Sequence, residues 1–170
     1  MHDMSRGFVK DGDQEEVPMV PKRAYLPEGV TNFVTRAGME QLMAEKDTLI
    51  REREELNIAN ENERRIAVNY INARLQLLNN RIAEARVVIP EDQPKDIITF
   101  GAIVTLKNIA SGKIQDFQIV GVDEADIARG KVSFISPLAR ALINKKTGDT
   151  ISLKRESDTV IFEILGIVCK

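Results

Sequence analysis

Apolar residues recur with a helical period between residues 35 and 89. In the first half of this segment they lie seven residues apart, at Leu42, Leu49 and Leu56. In the second half they follow alternating three- and four-residue steps, at Val68, Ile71, Leu75, Leu78, Ile82, Ala85 and Ile89. Such spacing places apolar side chains along one face of a helix. Because the polar stretch 57–63 separates the two patterns, we predict an antiparallel coiled-coil hairpin whose arms are roughly 33–39 Å long.

After residue 94 the period changes to that of β-strands. Five apolar runs alternate with turn sequences, at 97–107, 116–122, 132–135, 150–154 and 159–168. One short helix is predicted within this series, with Ser136 as its N-cap, Pro137 in the first helical position and residues 138–144 as its body. Residues 95–170 are therefore expected to form a small domain with a curved, mostly antiparallel sheet. The predicted fold class is α+β.

Residues 1–34 show no sustained period and are rich in proline, glycine and acidic residues. We interpret them as a flexible leader with a docked stretch near residues 25–34. The chain is thus expected to divide into a leader (1–34), a helical hairpin (35–89) and a C-terminal domain (95–170).

The composition excludes several classes of protein. The 170 residues include 24 Lys+Arg and 26 Asp+Glu, and a net charge of −2 argues against binding duplex DNA by neutralising phosphates. Cys169 is the only cysteine and His2 the only histidine, so an internal disulfide, a zinc site and a Ser-His-Asp triad are not expected. No apolar run approaches the roughly 20 residues that span a bilayer. We expect a cytoplasmic protein that does not bind membranes.

Four short stretches of the C-terminal segment form a recognisable set: Phe100-Gly101-Ala102, Ile119-Val120-Gly121, Asp123-Glu124-Ala125-Asp126 and Ser136-Pro137-Leu138-Ala139-Arg140-Ala141-Leu142-Ile143. Together with the preceding hairpin, they resemble the Gre-type (GreA/GreB) transcript-cleavage factors of bacterial RNA polymerase. The resemblance is most specific over residues 97–170.

This resemblance implies an FKBP-like C-terminal domain that docks at the rim of the polymerase secondary channel, and a coiled coil that enters the channel. Acidic residues at the tip would help to hold the second catalytic Mg²⁺ of the polymerase, so that the polymerase hydrolyses its own backtracked RNA. The expected partner is RNA polymerase, with indirect contact to nascent RNA. The chain would act as a monomer and an accessory factor, with no cofactor or metal of its own. The implied docking residues are Ser136, Pro137, Asp123 and Glu124, although Ser136-Pro137 is also a well-formed helix start.

The candidates for the acidic tip are Glu61, Glu63, Glu54 and Glu55. Glu61 and Glu63 also suit the first turn of a helix, since Asn60-x-x-Glu63 is a capping-box pattern. Glu54 and Glu55 lie near a helix C-terminus, where a negative charge typically costs about 0.3–1 kcal/mol. Helix stability does not account for them there, although nearby arginines leave an ordinary solvated face as an alternative.

Three alternatives stay open at this point. The tip lacks the family's usual acidic string, and each arm is shorter by roughly a heptad, about 10 Å; both features favour a regulator that occupies the channel without stimulating cleavage. An FKBP-like domain could also be a prolyl isomerase or chaperone module, but its phenylalanines are spaced as core residues. Dimerisation through the hairpin would place Lys46 and Arg53 in the seam at a cost in stability.

Overall fold

The computed structural model describes residues 18–169. Residues 1–17 of the predicted leader lie outside the described residues. The N-terminal part contains the strand β1 (Asn32–Val34), the helices α1 (Arg36–Glu54) and α2 (Glu61–Glu84), and the strand β2 (Ala85–Val87). The C-terminal part contains β3 (Ala102–Asn108), β4 (Ile114–Val120), β5 (Lys131–Ser133), α3 (Pro137–Leu142), β6 (Thr150–Lys154) and β7 (Thr159–Cys169). The α+β prediction is confirmed.

The helical period predicted over residues 35–89 forms the core of a two-helix hairpin. Its last two members, Ala85 and Ile89, are not helical, because α2 ends at Glu84 and the chain continues as the strand β2. The buried members of the seam are Leu42, Leu49, Ile71, Leu75 and Leu78, and they pack together with Val34 of β1. Thr35 is the N-cap of α1, as predicted, and its hydroxyl accepts a hydrogen bond from the Gly38 N–H at 2.9 Å. The arms have 19 and 24 residues, which corresponds to roughly 28 and 36 Å. The first arm is shorter than predicted because α1 ends at Glu54.

The strands β1 and β2 pair in parallel at the base of the hairpin. Here β1 comes just before α1, and β2 directly follows α2. The docked stretch expected near residues 25–34 therefore includes a paired strand, and Asn32 and Val34 are buried within it. By contrast, Tyr25 is 75% exposed.

The C-terminal part is a five-stranded sheet with the order β5-β4-β3-β7-β6. Its pairings are antiparallel except for that of β4 with β5, which is parallel. The prediction of a mostly antiparallel sheet is thus correct, and the exception arises because residues 121–130 carry the chain back to Gln118, in the C-terminal half of β4, before β5 begins. The register of β3 and β7 shifts at Thr105/Leu106, and such a bulge bends a sheet.

The core of this domain lies between the sheet and α3. The fully buried apolar residues are Ile98, Val104, Leu106, Ile119, Ala139, Leu142 and Ile164. The expected strand over 97–107 begins only at Ala102, because Gly101 adopts a φ of 89° and turns the chain. Similarly, α3 ends at Leu142 rather than at residue 144, because the backbone of Ile143 is no longer helical and Asn144 has a φ of 69°. Of the helices described, none is long and apolar enough to cross a membrane.

Candidate functional site

The closed end of the hairpin, residues 54–63, is called the tip. It carries the four glutamates predicted as tip residues, and all four are exposed: Glu54, Glu55, Glu61 and Glu63. The first is the last residue of α1, the second is its C-cap, and the other two lie in the first turn of α2. The structure therefore brings these four carboxylates to one end of a two-helix rod.

One residue of the tip, Asn60, serves as the N-cap of α2, and this capping leaves the glutamates of the tip exposed. The Asn60 side chain accepts a hydrogen bond from the Glu63 N–H at 2.9 Å, as expected of an N-cap. That bond uses the backbone of Glu63, and its carboxylate stays at the surface. Both acids of this first turn also lie where the helix dipole favours negative charge. Helix capping thus accounts for the presence of Asn60, while the carboxylates of Glu61 and Glu63 stay available for binding.

The end of α1 differs from the start of α2 in its electrostatics. Glu54 and Glu55 lie at a helix C-terminus, where the dipole disfavours them. The Arg53 guanidinium donates a hydrogen bond at 2.7 Å to the Asn72 side chain of α2. This arginine is therefore directed across the hairpin, and its hydrogen bond does not explain the acidic pair.

One exposed apolar residue near the tip was not singled out from the sequence. Ile66 is 57% exposed on α2, close to the four glutamates in the chain. It falls outside the three- and four-residue steps that mark the buried seam, which begin at Val68. An apolar residue that does not fit the spacing of the seam is the sequence signal that could have identified Ile66.

Asp123 and Glu124 have a different environment from that expected of docking residues. Asp123 accepts hydrogen bonds from Arg23 Nε at 3.1 Å and from Arg81 Nη1 at 2.8 Å. Glu124 is 6% exposed and accepts hydrogen bonds from the Thr35 hydroxyl and from Lys131 Nζ. Both carboxylates are largely shielded and already paired, so they join the hairpin to the C-terminal domain, and their part in docking stays a prediction.

The two glycines nearest to these carboxylates show how closely the parts approach. A Cβ on Gly121 would lie 2.5 Å from the Phe33 carbonyl oxygen of β1, and a Cβ on Gly38 would lie 2.7 Å from Glu124 Oε1. Both distances are shorter than real side chains tolerate. We call this contact region the joint: Arg23, Phe33, Thr35, Gly38, Glu45, Arg81 and residues 121–124.

Aromatic packing closes the joint on the side of β1. The Phe33 ring centroid lies 5.9 Å from that of Phe100 and 5.8 Å from that of Phe134, and the latter two are 5.7 Å apart. Two of the phenylalanines on which an isomerase pocket would depend thus contact a strand of the N-terminal part. Their arrangement agrees with the packing role expected from their spacing.

Arg23 is a part of the joint that the sequence did not reveal. Its guanidinium donates two hydrogen bonds to the Glu45 carboxylate of α1, at 2.7 and 3.0 Å. The hydrogen bond from Arg23 holds the pKa of Glu45 below its usual value, although burial opposes this effect. Docking of the predicted leader therefore includes residue 23, before the stretch 25–34.

The Ser136–Pro137 pair begins α3 as predicted. The Ser136 hydroxyl accepts a hydrogen bond from the Ala139 N–H at 3.2 Å, so helix capping explains this residue. Pro137 occupies the first helical position and is exposed. Of the four docking candidates, Pro137 is thus the one whose side chain is presented at the surface without a structural role beyond starting the helix.

The tip offers oxygen ligands but not a complete metal site. Within residues 18–169, no group of three or more His, Cys, Asp or Glu side chains converges as metal ligands. The exposed carboxylates could add one or two oxygen ligands to a cation whose remaining ligands come from elsewhere, and oxygen is what Mg²⁺ prefers.

Comparison with known proteins gives consistent matches. Residues 93–168 match the family model described as transcription elongation factor, GreA/GreB, C-term. The transcription elongation factor GreA of Thermosipho africanus is 33% identical over 150 residues, which are 79% of this chain and 95% of that protein. GreA of Syntrophotalea carbinolica is 41% identical over 98 residues, 58% of this chain, and this match spans only 62% of that relative's length.

A solved structure, the GreA factor homolog 1 of Thermus thermophilus, is 22% identical, and the match covers 82% of this chain and 99% of that protein's chain. Its TM-score of 0.39 is too low for the arrangement of the two parts to be compared.

Proposed function

Because this chain belongs to the GreA/GreB family of transcription elongation factors, we propose that it binds RNA polymerase and inserts its hairpin into the secondary channel. The observation that supports this most directly is the location of four exposed glutamates at the end of a rod. The other end of that rod is fixed to a compact domain through the largely shielded ion pair of Arg81 with Asp123, and through Arg23, which pairs with both Glu45 and Asp123. A monomer with this shape can dock by its domain and present acidic groups at a distance.

The tip carboxylates would act on a phosphoryl-transfer site that belongs to the polymerase. Such a site depends on charge neutralisation by Mg²⁺ and on an oriented nucleophile. In this proposal Glu61 and Glu63 supply oxygen ligands or orient a water, while Glu54 and Glu55 add negative charge beside them. The polymerase performs the hydrolysis of its backtracked RNA, and this chain is an accessory factor without chemistry of its own.

A second mode of action is a regulator that occupies the channel without stimulating cleavage. It is favoured by the short first arm, which ends at Glu54 after 19 residues. It is also favoured by the lack of the family's usual acidic string at the tip, where residues 60–63 alternate Asn and Glu. A shorter rod would place its carboxylates short of the polymerase metal while still obstructing the channel.

The two modes are separated by a cleavage assay on a stalled, backtracked complex of purified core polymerase. If the chain stimulates cleavage, 3′ RNA fragments appear faster than with polymerase alone. Loss of one metal ligand in Glu61→Gln would then slow the reaction by about tenfold or more, which corresponds to roughly 1.4 kcal/mol. The matched control is Glu52→Gln, which removes an exposed carboxylate of α1 outside the tip.

Absence of extra fragments together with slowed elongation would assign the regulator mode, and Glu61→Gln should then change nothing in the cleavage assay. If the chain is not retained by core polymerase in a pull-down and alters neither cleavage nor elongation, the proposed function is wrong.

A further inference from the structure

Arg23 connects three parts of the molecule with one side chain. Its Nη1 and Nη2 atoms donate to the two carboxylate oxygens of Glu45 at 2.7 and 3.0 Å, and its Nε donates to Asp123 Oδ1 at 3.1 Å. The side chain is only 17% exposed. A planar guanidinium that binds one carboxylate through Nη1 and Nη2 and another through Nε fixes the relative orientation of the two carboxylates as well as the distance between them.

A second arginine closes the same network. Arg81, in the last turn of α2, donates to Asp123 Oδ2 at 2.8 Å and to the Ala24 carbonyl oxygen at 2.8 Å. The chain around residues 23–24 is therefore held to α1, to α2 and to the C-terminal domain at once. We call this segment, residues 21–24, the strap.

We propose that Arg23 is a positioning residue that fixes the direction in which the hairpin leaves the C-terminal domain. From Arg81 to Glu61 the helix α2 is roughly 30 Å long, so a rotation of about 10° at the joint displaces the tip by roughly 5 Å. The bond between Arg81 and Asp123, the bond between Thr35 and Glu124, and the packing of Phe33 against two phenylalanines of the C-terminal domain keep the parts together without Arg23. The strap adds a second link between α1 and the C-terminal domain, at Glu45, about two turns beyond the contact of Thr35 and Gly38 with Glu124.

The direction of the hairpin can be measured on the isolated protein by pulsed electron paramagnetic resonance. Nitroxide labels are attached at Glu52→Cys on α1 and at Glu156→Cys in the exposed turn between β6 and β7, in a Cys169→Ser background. With Arg23 present, we expect one narrow distance distribution. Glu52 lies roughly 25 Å along α1 from its N-cap Thr35, so a rotation of about 10° at the joint displaces this label by about 4 Å. In Arg23→Ala, we therefore expect the distribution to broaden or to shift by up to about 4 Å.

Two further variants and a control distinguish positioning from general destabilisation. Arg23→Lys keeps the charge but not the fork, and Glu45→Gln weakens only the link between strap and α1, so both should give intermediate distributions. Arg129→Ala removes an arginine whose ion pair, with Asp126 at 3.6 Å, is exposed and lies in the loop before β5, at the opposite edge of the sheet from the label at residue 156. It should leave the distribution unchanged.

The proposal is overturned if Arg23→Ala gives the wild-type distribution. If Arg23→Ala does not fold, the same result from the milder variants Arg23→Lys and Glu45→Gln overturns it. Circular dichroism and thermal melting establish that each labelled variant is folded.

The consequence for transcription rests on the proposed function and is measured separately. If only a fraction of molecules points the hairpin correctly, the apparent dissociation constant for core polymerase rises by the inverse of that fraction, and we expect about 3- to 10-fold for Arg23→Ala. A broadened distribution with unchanged affinity would support positioning in the isolated protein and contradict insertion of the hairpin as the binding mode.

Discussion

The tip and the joint of this protein contain the same kind of residue in opposite environments. At the joint, Asp123 and Glu124 are largely shielded from solvent and Glu45 is partly buried, and arginine, lysine or threonine groups donate to each of them. At the tip, the four glutamates are exposed. A buried carboxylate is tolerated only when it is paired, so folding itself explains the acids of the joint. At the tip, folding accounts for Glu61 and Glu63 only through the helix dipole, and it does not account for Glu54 and Glu55. This contrast is what directs attention to a partner.

Close backbone contact at the joint should give the largest effect on stability. In Gly121→Ala the added methyl group would meet the Phe33 carbonyl oxygen, a backbone atom that cannot rotate away. We expect a loss of about 2–3 kcal/mol in the free energy of unfolding, measured by denaturant titration. Gly166→Ala is the matched control, since no atom lies within 4 Å of its added Cβ. Equal stabilities of the two variants would show that β1 does not pack against residue 121.

Removal of the shared carboxylate at the joint should have the next largest effect. Asp123→Asn keeps the shape of the side chain but weakens two charge-assisted hydrogen bonds, to Arg23 and to Arg81. We expect a loss of about 1–2 kcal/mol in the free energy of unfolding. Asp158→Asn, which disrupts an exposed pair with Arg155, should change it by less than about 0.5 kcal/mol. If both substitutions lower the free energy of unfolding by the same amount, the ion pairs of the joint stabilise the chain no more than an exposed surface pair does.

The ion pair of Glu45 predicts a smaller effect that depends on pH. Arg23 and, to a lesser extent, Arg74 hold the pKa of Glu45 below its ordinary value of 4.5 in the folded chain. The stabilisation is therefore fully present above 4.5 and is lost as the pH falls through the lower, folded pKa. The difference in unfolding free energy between the unmodified chain and Glu45→Gln should shrink over that interval. A difference that stays constant down to pH 3 would contradict the pairing.

Substitutions at the tip should have the smallest effects on the free energy of unfolding, and some of them should raise it rather than lower it. Glu54→Gln and Glu55→Gln remove negative charge from the C-terminal end of α1 and should stabilise the chain by up to about 0.3–1 kcal/mol at low salt. Glu61→Gln, at a favourable helix start, should be slightly destabilising. Thermal melts at low and high salt measure both. Marked destabilisation by Glu54→Gln would mean that its carboxylate has a structural partner after all.

Regular periods in the sequence predicted the parts of the fold that depend on repetition. The seam of Leu42, Leu49, Ile71 and Leu75 is buried as the spacing requires, and Thr35, Asn60 and Ser136 cap the helices that follow them. Local chemistry was sufficient at these positions because each partner lies a few residues away along the same helix or on the matching face of its neighbour.

The joint could not be predicted in this way because its partners are distant in the chain. Arg23 lies in an aperiodic, proline-rich segment, and it contacts a residue 100 positions away. Asp123 and Glu124 form an acidic run that looks like exposed loop sequence, but Arg23, Thr35 and Arg81 of the N-terminal part donate hydrogen bonds to them. The parallel pairing of β5 likewise depends on the path of the preceding loop rather than on the strand's own residues.

Site-specific photocrosslinking tests the proposed role of the tip most directly. A benzophenone amino acid replaces Asn62 at the tip or, as a control, exposed Lys154 at the end of β6, and each variant is irradiated with core RNA polymerase. Insertion into the channel predicts that position 62 crosslinks to polymerase segments beside the catalytic metal, while position 154 does not. Crosslinks from position 62 that map only to the outer surface of the polymerase, or none at all despite retained binding, would contradict the account.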